Sequence, residues 1–137
     1  MKTPSIEIII ASSLDGRIAF PNGGASHLGS NNDKRMLDKN LSNVDATIFG
    51  LGTLKAHQST YLVKSHNENG KTKIAKNQPI SILASNSKKF SKDWHYFKQP
   101  VKRWLISSSK NNGLGNIDFE KEIFYKNSWR ETLLSIN

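Results

Sequence analysis

The sequence predicts an α/β domain with a largely parallel sheet. Short apolar runs rich in β-branched residues recur along the chain, and segments with helix-start signals and helical periodicity alternate with them. Such runs are typical of strands buried on both faces, and their alternation with helices indicates βαβ units. A chain of 137 residues is long enough to bury a core of its own, so we expect one domain over residues 1–137.

Five strands are expected. The first is Ile6 to Ala11, whose isoleucines predict burial on both faces, and Ser12 to Gly16 then turns the chain. The other four are predicted at residues 46–49, 80–84, 103–107 and 122–125. Residues 58–78 are polar and contain the turn sequence Asn-Glu-Asn-Gly, which predicts a surface excursion.

Three helices are expected between and after these strands. Ser30 is followed three residues later by Asp33, which is a capping-box pattern and predicts a helix start. A short helix is expected from Thr53 to His57. Ser128 is the predicted N-cap of a final helix, residues 129–136, with Trp129, Leu133 and Ile136 on one face.

Composition narrows the function classes. The net charge is +9, but 16 of the 20 basic residues are scattered lysines, whereas specific nucleic-acid binders use arginine with interleaved aromatics. Only residues 94–104 approach that pattern, so nucleic acid is not the expected partner. There is no cysteine, and the four histidines lack metal-ligand spacing. No segment approaches the roughly 20 apolar residues that span a bilayer, and we expect a cytoplasmic protein.

The glycine-rich stretch Gly50-Leu51-Gly52-Thr53 is the first candidate site. It follows a predicted strand and opens a predicted helix, where backbone N–H groups and the helix dipole favour an anion. It is not the full dinucleotide fingerprint, because position 55 is lysine instead of a third glycine. Taken alone, the stretch is slightly more typical of an ordinary structural turn than of a ligand site.

The segment "ASSLDG", residues 11–16, is the second candidate, because it follows the first predicted strand. Ligands of open α/β sheets bind outside the carboxyl ends of the strands, so this segment and the glycine turn would line one crevice. An Asx-type turn at Asp15-Gly16 is the alternative. His57 is expected at the same edge of the sheet, with an ordinary surface position on the helix as its alternative.

Four separated motifs together resemble one protein family. In order, they are "IIIASSLDGRIA", "GGASHLGSNND", "NVDATIFGLGTL" and "QPISILAS". The chain resembles the riboflavin-biosynthesis pyrimidine reductases, both the stand-alone enzymes and the reductase half of the bifunctional deaminase-reductase. The resemblance covers residues 6 to about 86. It implies a dihydrofolate reductase-like three-layer fold with a central, mostly parallel sheet.

The resemblance also implies an activity and a set of binding residues. The expected reaction is NADPH-dependent reduction of the ribosyl carbon of 5-amino-6-(5-phosphoribosylamino)uracil, or a related phosphoribosylaminopyrimidine, to the ribitylamino product. No catalytic acid or base is implied, because the cofactor supplies the hydride. The cofactor-binding residues would be Ser12, Leu28, Gly50, Gly52, Thr53, His57 and Ser85. Substrate would contact Ser26, Thr60 and Lys64, the last two facing its phosphate.

Several positions depart from the family pattern. His57 stands where the family usually has aspartate, and Leu41 replaces an arginine that helps to bind substrate. A glycine-rich "E-G-G" segment and the strands after it are missing, so we expect a domain incomplete at its C-terminus and an exposed sheet edge that pairs with another chain. The family suggests a homodimer. A reductase of the same fold with a different small substrate, or a non-catalytic basic nucleic-acid-binding protein, are the alternatives.

Overall fold

The computed structural model describes residues 4–24, 29–87, 89–108, 119–125 and 127–136. The helices are α1 (Asn31–Leu41), α2 (Leu51–His57) and α3 (Trp129–Leu134), with a short 3₁₀ helix at His95–Lys98. The strands are β1 (Ala46–Gly50), β2 (Lys64–His66), β3 (Thr72–Ile74), β4 (Ile80–Ala84), β5 (Arg103–Ser107) and β6 (Lys121–Phe124).

The central sheet has four strands in the order β1-β4-β5-β6, and every neighbouring pair is parallel. Gly50 is in register with Ala84, Ala84 with Ile106, and Ser107 with Phe124. The carboxyl ends of the four strands therefore meet at one edge. The predicted α/β class with a parallel sheet is confirmed, and the arrangement is consistent with a dihydrofolate reductase-like fold.

Two apolar clusters cover the two faces of this sheet. On one face, Leu54 of α2 and Tyr96 of the 3₁₀ helix pack with Leu83 and Leu105, and all four side chains are 0% exposed. On the other face, the second cluster comprises Ile82, Ile106 and Ile123, with Ile136, which follows α3, packed against it. Layers on both faces thus exclude water from β4 and β5, the two central strands.

The predicted helix starts are confirmed by their caps. The Ser30 side chain accepts from the backbone N–H of Asp33, and the Asp33 carboxylate accepts from the backbone N–H of Ser30, which is a complete capping box. Ser128 caps α3 by accepting from the backbone N–H of Glu131. The side chain that α3 buries fully is Thr132, whereas Trp129, predicted on its apolar face, is 47% exposed.

The first predicted strand is wrong. Residues 6–11 form no strand, and Ile6, Ile8, Ile9 and Ile10 are between 46% and 80% exposed. A β-strand needs a neighbour for its backbone hydrogen bonds, and no described strand pairs with this segment. Its composition therefore misled the prediction. The turn that follows is confirmed, because Gly16 adopts φ +80° and donates its N–H to the Ser13 carbonyl.

The surface excursion predicted over residues 58–78 contains the small antiparallel sheet of β2 and β3, which was not predicted from the sequence. The predicted turn joins the two strands, with Gly70 donating to the Asn67 carbonyl at φ +73°. Every residue of both strands is exposed. Apolar burial therefore does not explain this hairpin, and polar anchors from elsewhere in the chain hold it.

Candidate functional site

A cleft of about 330 Å³ lies at the carboxyl ends of β4, β5 and β6. Ala84 and Ile106 supply apolar surface from two adjacent central strands. The other lining residues are Ser85, Asn86, Ser107, Ser108, Tyr125 and Trp129. A cleft of apolar surface with a few convergent polar groups, placed outside the carboxyl ends of parallel strands, is where this fold class binds ligands.

The polar side of the cleft is held by the backbone of neighbouring loops. The N–H of Ser85 donates to the Ile106 carbonyl at 2.9 Å, and the N–H of Ser108 donates to Asn86 Oδ1 at 2.9 Å. The second bond assigns the orientation of the Asn86 amide, because only its oxygen can accept. The Nδ2 donor of Asn86 then has no hydrogen-bond partner within the described ranges, and it is free to donate to a ligand.

The aromatic side of the cleft consists of Tyr125 and Trp129. Their rings form an edge-to-face pair with centroids 5.2 Å apart and an interplanar angle of 67°. The backbone N–H of Tyr125 donates to the Ser107 carbonyl at 2.8 Å, and Trp129 is the first residue of capped α3. Sequence reasoning placed both rings in other roles, as a strand end and as one face of a helix. Neither role predicts a common cleft.

The glycine turn lies at the same edge of the sheet, one strand away from β4. Gly50 precedes α2 without any side-chain cap, and Gly52 and Thr53 are exposed in its first turn. A Cβ added at Gly50 or Gly52 would meet nothing within 4 Å. The backbone here is therefore open to an approaching ligand, which is the feature that the glycine pattern predicts.

The other predicted cofactor residues do not all lie at the cleft. Ser85 lines it. Ser12 is exposed and does not end a strand, so the crevice expected between two strand ends is not formed by residues 11–16. His57 ends α2, six residues beyond Leu51, which is about 9 Å along a helix axis. Its expected place beside the turn and the cofactor stays a prediction. Leu28, like the predicted substrate residue Ser26, lies outside the described residues.

The predicted substrate residues Thr60 and Lys64 bound a segment that two glutamine side chains hold rigidly. Gln99, 6% exposed, accepts from the Thr60 N–H and donates to the Thr60 carbonyl, both at 2.8 Å. Gln78 makes the same pair of bonds to Val63, both at 2.9 Å. Each glutamine amide thus bonds both the N–H and the carbonyl of one residue, as a neighbouring β-strand would do. The sequence carries no signal for these anchors, because Gln99 lies 39 residues from Thr60.

Asp38 anchors the end of this segment to α1. Its carboxylate is 3% exposed and accepts from the Lys64 N–H at 2.8 Å, from Tyr61 Oη at 3.0 Å and from His66 Nε2 at 2.8 Å. Burial raises the pKa of Asp38, but these three donors outweigh it and the net pKa lies below its ordinary value. Burial and the adjacent carboxylate raise the pKa of Tyr61 to about 12.

The aromatic and basic segment that suggested nucleic acid is packed into the core. Tyr96 is fully buried, and Trp94 and Phe97 are half-buried against the cluster of Leu54, Leu83 and Leu105. The described part of the chain also has no helix long and apolar enough to cross a membrane. Within the described ranges, no three His, Asp or Glu side chains are grouped to hold a metal ion.

The parallel sheet, its covering layers and the cleft at the carboxyl edge define a mixed α/β domain of the dihydrofolate reductase-like class. A family model described as the RibD C-terminal domain matches residues 4–124. The chain therefore belongs to this family, the C-terminal reductase domain of riboflavin biosynthesis. The family supports an oxidoreductase role in the riboflavin pathway in general terms. No curated protein matches the chain.

Proposed function

We propose that this chain is an NADPH-dependent pyrimidine reductase that acts on 5-amino-6-(5-phosphoribosylamino)uracil or the related phosphoribosylaminopyrimidine, giving the ribitylamino product. The observation that carries the proposal is the cleft at the carboxyl ends of β4, β5 and β6, which contains Ser85 and lies beside the open glycine turn after β1. NADPH supplies the hydride when it is bound.

The dimensions of the sheet edge fit a dinucleotide. Parallel strands lie about 4.8 Å apart, so Gly50, two strands away from Ile106, is about 10 Å from that part of the cleft. We propose that the adenosine end of the cofactor occupies the cleft and that its diphosphate passes the glycine turn. The open space beside Gly50 and Gly52 accommodates the phosphates without displacing any side chain.

The chain's own residues have binding and positioning roles in this proposal. Gly50, Gly52 and Thr53 give backbone donors and a hydroxyl to the phosphates. Ser85 Oγ, which donates to the Ser87 carbonyl, accepts from a ribose hydroxyl. At the substrate end, Lys64 offers an ammonium to the substrate phosphate, for which a point charge is suited. The glutamine and Asp38 anchors keep the segment from Thr60 to Lys64 in place before substrate binds. A preformed site loses less entropy on binding.

Titration with NADPH, followed by nicotinamide fluorescence and then by NADPH oxidation in the presence of the pyrimidine, tests the proposal. Gly52→Val fills the open space at the turn, and we expect it to weaken NADPH binding roughly tenfold, which corresponds to about 1.4 kcal/mol. Met36→Val, which places the same side chain on α1 at a 60% exposed position, is the matched control and should bind as the wild type does. Absence of NADPH binding by the wild type would refute the proposal.

A different substrate is the second candidate, favoured by two positions. Leu41 replaces the arginine expected near the end of the first helix, and His57 replaces the expected aspartate. A reductase of the same fold acting on another small carbonyl or imine would tolerate both changes. Assays with the phosphoribosylaminopyrimidine and with unphosphorylated carbonyl compounds separate the two candidates. Turnover of the latter compounds alone would exclude the riboflavin substrate.

The assembly and location of the protein complete the proposal. We propose a cytoplasmic homodimer, supported by the outer edge of β1, where no strand of the described residues pairs and where Ile48 is 47% exposed. An unpaired strand edge favours association with another chain. Sedimentation at several protein concentrations would show a dimer, and a monomer at every concentration would refute this part.

A further inference from the structure

The reductase proposal places the adenosine end of the cofactor in the cleft but assigns no role to the two aromatic residues on its side. Tyr125 is 36% exposed and Trp129 is 47% exposed, and both rings line the cleft. Large aromatic side chains that stay exposed to water do not gain the free energy of burying their apolar surface. Here the exposed ring surface lies next to apolar Ile106 and to the hydrogen-bonding groups of Ser85 and Asn86. That combination matches a flat heteroaromatic ring with polar edges.

We propose that Tyr125 and Trp129 form an aromatic wall that selects the purine base of the adenine nucleotide, in which the base stacks on the face of Trp129 while Tyr125 supports that ring at an angle of 67°, and that Asn86 donates through Nδ2 to a ring nitrogen of that base. This inference rests on the proposed function, because it concerns the cofactor's position in the same cleft. The Asn86 amide is already oriented by the Ser108 N–H, which makes its Nδ2 a donor in place before binding.

The rigidity of the two rings supports a selective site. The edge-to-face contact fixes each ring against the other, and such pairs contribute about 0.5–1.5 kcal/mol beyond their buried area. The backbone bond from Tyr125 to Ser107 fixes the backbone that carries one ring, and the Ser128 cap fixes the helix turn that carries the other. Side chains fixed in this way require little ordering when a base stacks on them.

The location of the wall favours the purine of the cofactor over the pyrimidine of the substrate. The cleft is lined from β4, β5, β6 and α3, whereas the residues predicted to hold the substrate phosphate lie between α2 and β2. A purine also offers a larger ring surface than a pyrimidine to the face of Trp129. We therefore expect 5′-AMP to bind the cleft, and we expect 5′-UMP to bind poorly.

Tryptophan fluorescence of the full chain with 5′-AMP, 5′-UMP and nicotinamide mononucleotide as separate probes tests this assignment. Stacking on Trp129 should quench emission with 5′-AMP and leave it unchanged with the other two probes. Trp129→Leu should abolish the quenching. Because the Trp129 variants lack the reporting ring, isothermal titration calorimetry measures the affinities, and both Trp129→Leu and Tyr125→Leu should weaken 5′-AMP binding about 5- to 100-fold, as expected for one base stacked on an aromatic side chain. Trp129→Phe, which keeps a ring face, should restore most of the affinity.

The outcomes separate this inference from the reductase proposal. Quenching by 5′-AMP that depends on Trp129, in a protein that does not oxidise NADPH with the pyrimidine, would support the wall and refute the proposed reaction. NADPH turnover with 5′-AMP affinity unchanged within twofold in both leucine variants would refute the wall and leave the reaction standing. Equal quenching by 5′-UMP and 5′-AMP would also overturn the assignment. Circular dichroism of each variant verifies that it is folded.

Discussion

Two segments of nearly the same composition differ in burial and in secondary structure. Residues 6–11, Ile-Glu-Ile-Ile-Ile-Ala, are exposed and form no strand, whereas residues 80–84, Ile-Ser-Ile-Leu-Ala, form central strand β4. Ile8 is 80% exposed, and Leu83 is 0% exposed. The strand β4 has a parallel neighbour on each side, and the N-terminal segment has none among the described residues. Composition shows that a segment can be buried, and its neighbours decide whether it is.

The hairpin of β2 and β3 gives the opposite example. Its residues are polar and all exposed, yet they form strands because each strand has its partner and because Asp38 holds Lys64 and His66. Hydrogen-bond partners thus order a segment that burial could not order. The comparison predicts that stability depends on core contacts at β4, on polar anchors at the hairpin, and very little on residues 6–11.

The largest effect is expected from truncating the core of β4. Leu83→Ala should lower the free energy of unfolding by about 2–5 kcal/mol, because it removes a fully buried side chain and leaves a cavity. Ile8→Ala is the matched control and should change it by less than about 0.5 kcal/mol. Urea unfolding followed by circular dichroism measures both. Similar losses in the two variants would show that residues 6–11 are buried in solution.

The next effect is expected at the polar anchor. Asp38→Asn should cost about 1.5–3 kcal/mol, because it replaces a charged acceptor of three hydrogen bonds by a neutral amide. Asp93→Asn, at an exposed position, is the control and should stay within about 0.5 kcal/mol of the wild type. A wild-type stability for Asp38→Asn would mean that the anchor contributes nothing and that the hairpin is held by its own ladder.

The Asp38 anchor also predicts how the stability of the protein changes at acid pH. The folded-state pKa of Asp38 lies below its unfolded value, which is about 3.9 for an aspartate. Its contribution is therefore fully present above that pH and is lost as the pH falls through the folded-state pKa. Unfolding measured between neutral pH and pH ~3 should show a smaller acid loss in Asp38→Asn than in the wild type. An identical acid profile would contradict this assignment.

A smaller effect is expected at Tyr61, which donates to the same carboxylate. Tyr61→Phe should cost about 0.5–1.5 kcal/mol at neutral pH, the usual range for one hydrogen bond. Because the folded-state pKa of Tyr61 is raised to about 12, its contribution is full below the ordinary tyrosine pKa of about 10 and is lost as the pH rises toward 12. The variant should therefore lose less stability between these two pH values.

A double-mutant cycle sharpens the assignment of that bond. If Tyr61 stabilises the fold through Asp38, the losses of Tyr61→Phe and Asp38→Asn will not add, because the two residues share one interaction. The doubly substituted protein should then be more stable than the sum of the single losses predicts. Additive losses would show that the two side chains act independently, despite their 3.0 Å contact.

Much of the fold was predictable because the central strands are continuous apolar runs. β4 and β5 have the bounds expected from the sequence, and the caps at Ser30 and Ser128 were correct. Such signals are local, since a cap spans four residues and a buried strand spans five. The prediction of a strand at residues 6–11 was wrong, because an apolar run does not show whether a neighbouring strand is available to pair with it.

The candidate site was predictable only in part, for the same reason. The glycine turn and Ser85 were found because residues that follow a strand lie at the carboxyl edge of the sheet. Tyr125, Trp129 and Asn86 were missed because their proximity depends on the pairing of β4, β5 and β6, which no local pattern encodes. The Gln78 and Gln99 anchors are equally invisible, since each meets a backbone 15 or 39 residues away.

The smallest effect is expected from a proline in the N-terminal segment. Proline removes a backbone N–H and fixes φ. No hydrogen bond of the Ile8 N–H to a described residue is seen, so Ile8→Pro should leave the free energy of unfolding within about 0.5 kcal/mol of the wild type. Ile82→Pro in β4 is the contrast and should abolish cooperative folding, because the strand uses its ladder bonds on both sides. A loss above about 1 kcal/mol for Ile8→Pro, or a change in its sedimentation, would show that residues 6–11 pair with a strand in solution. Residues 6–11 and 80–84 would then both have a neighbouring strand, and they would differ only in which strand it is.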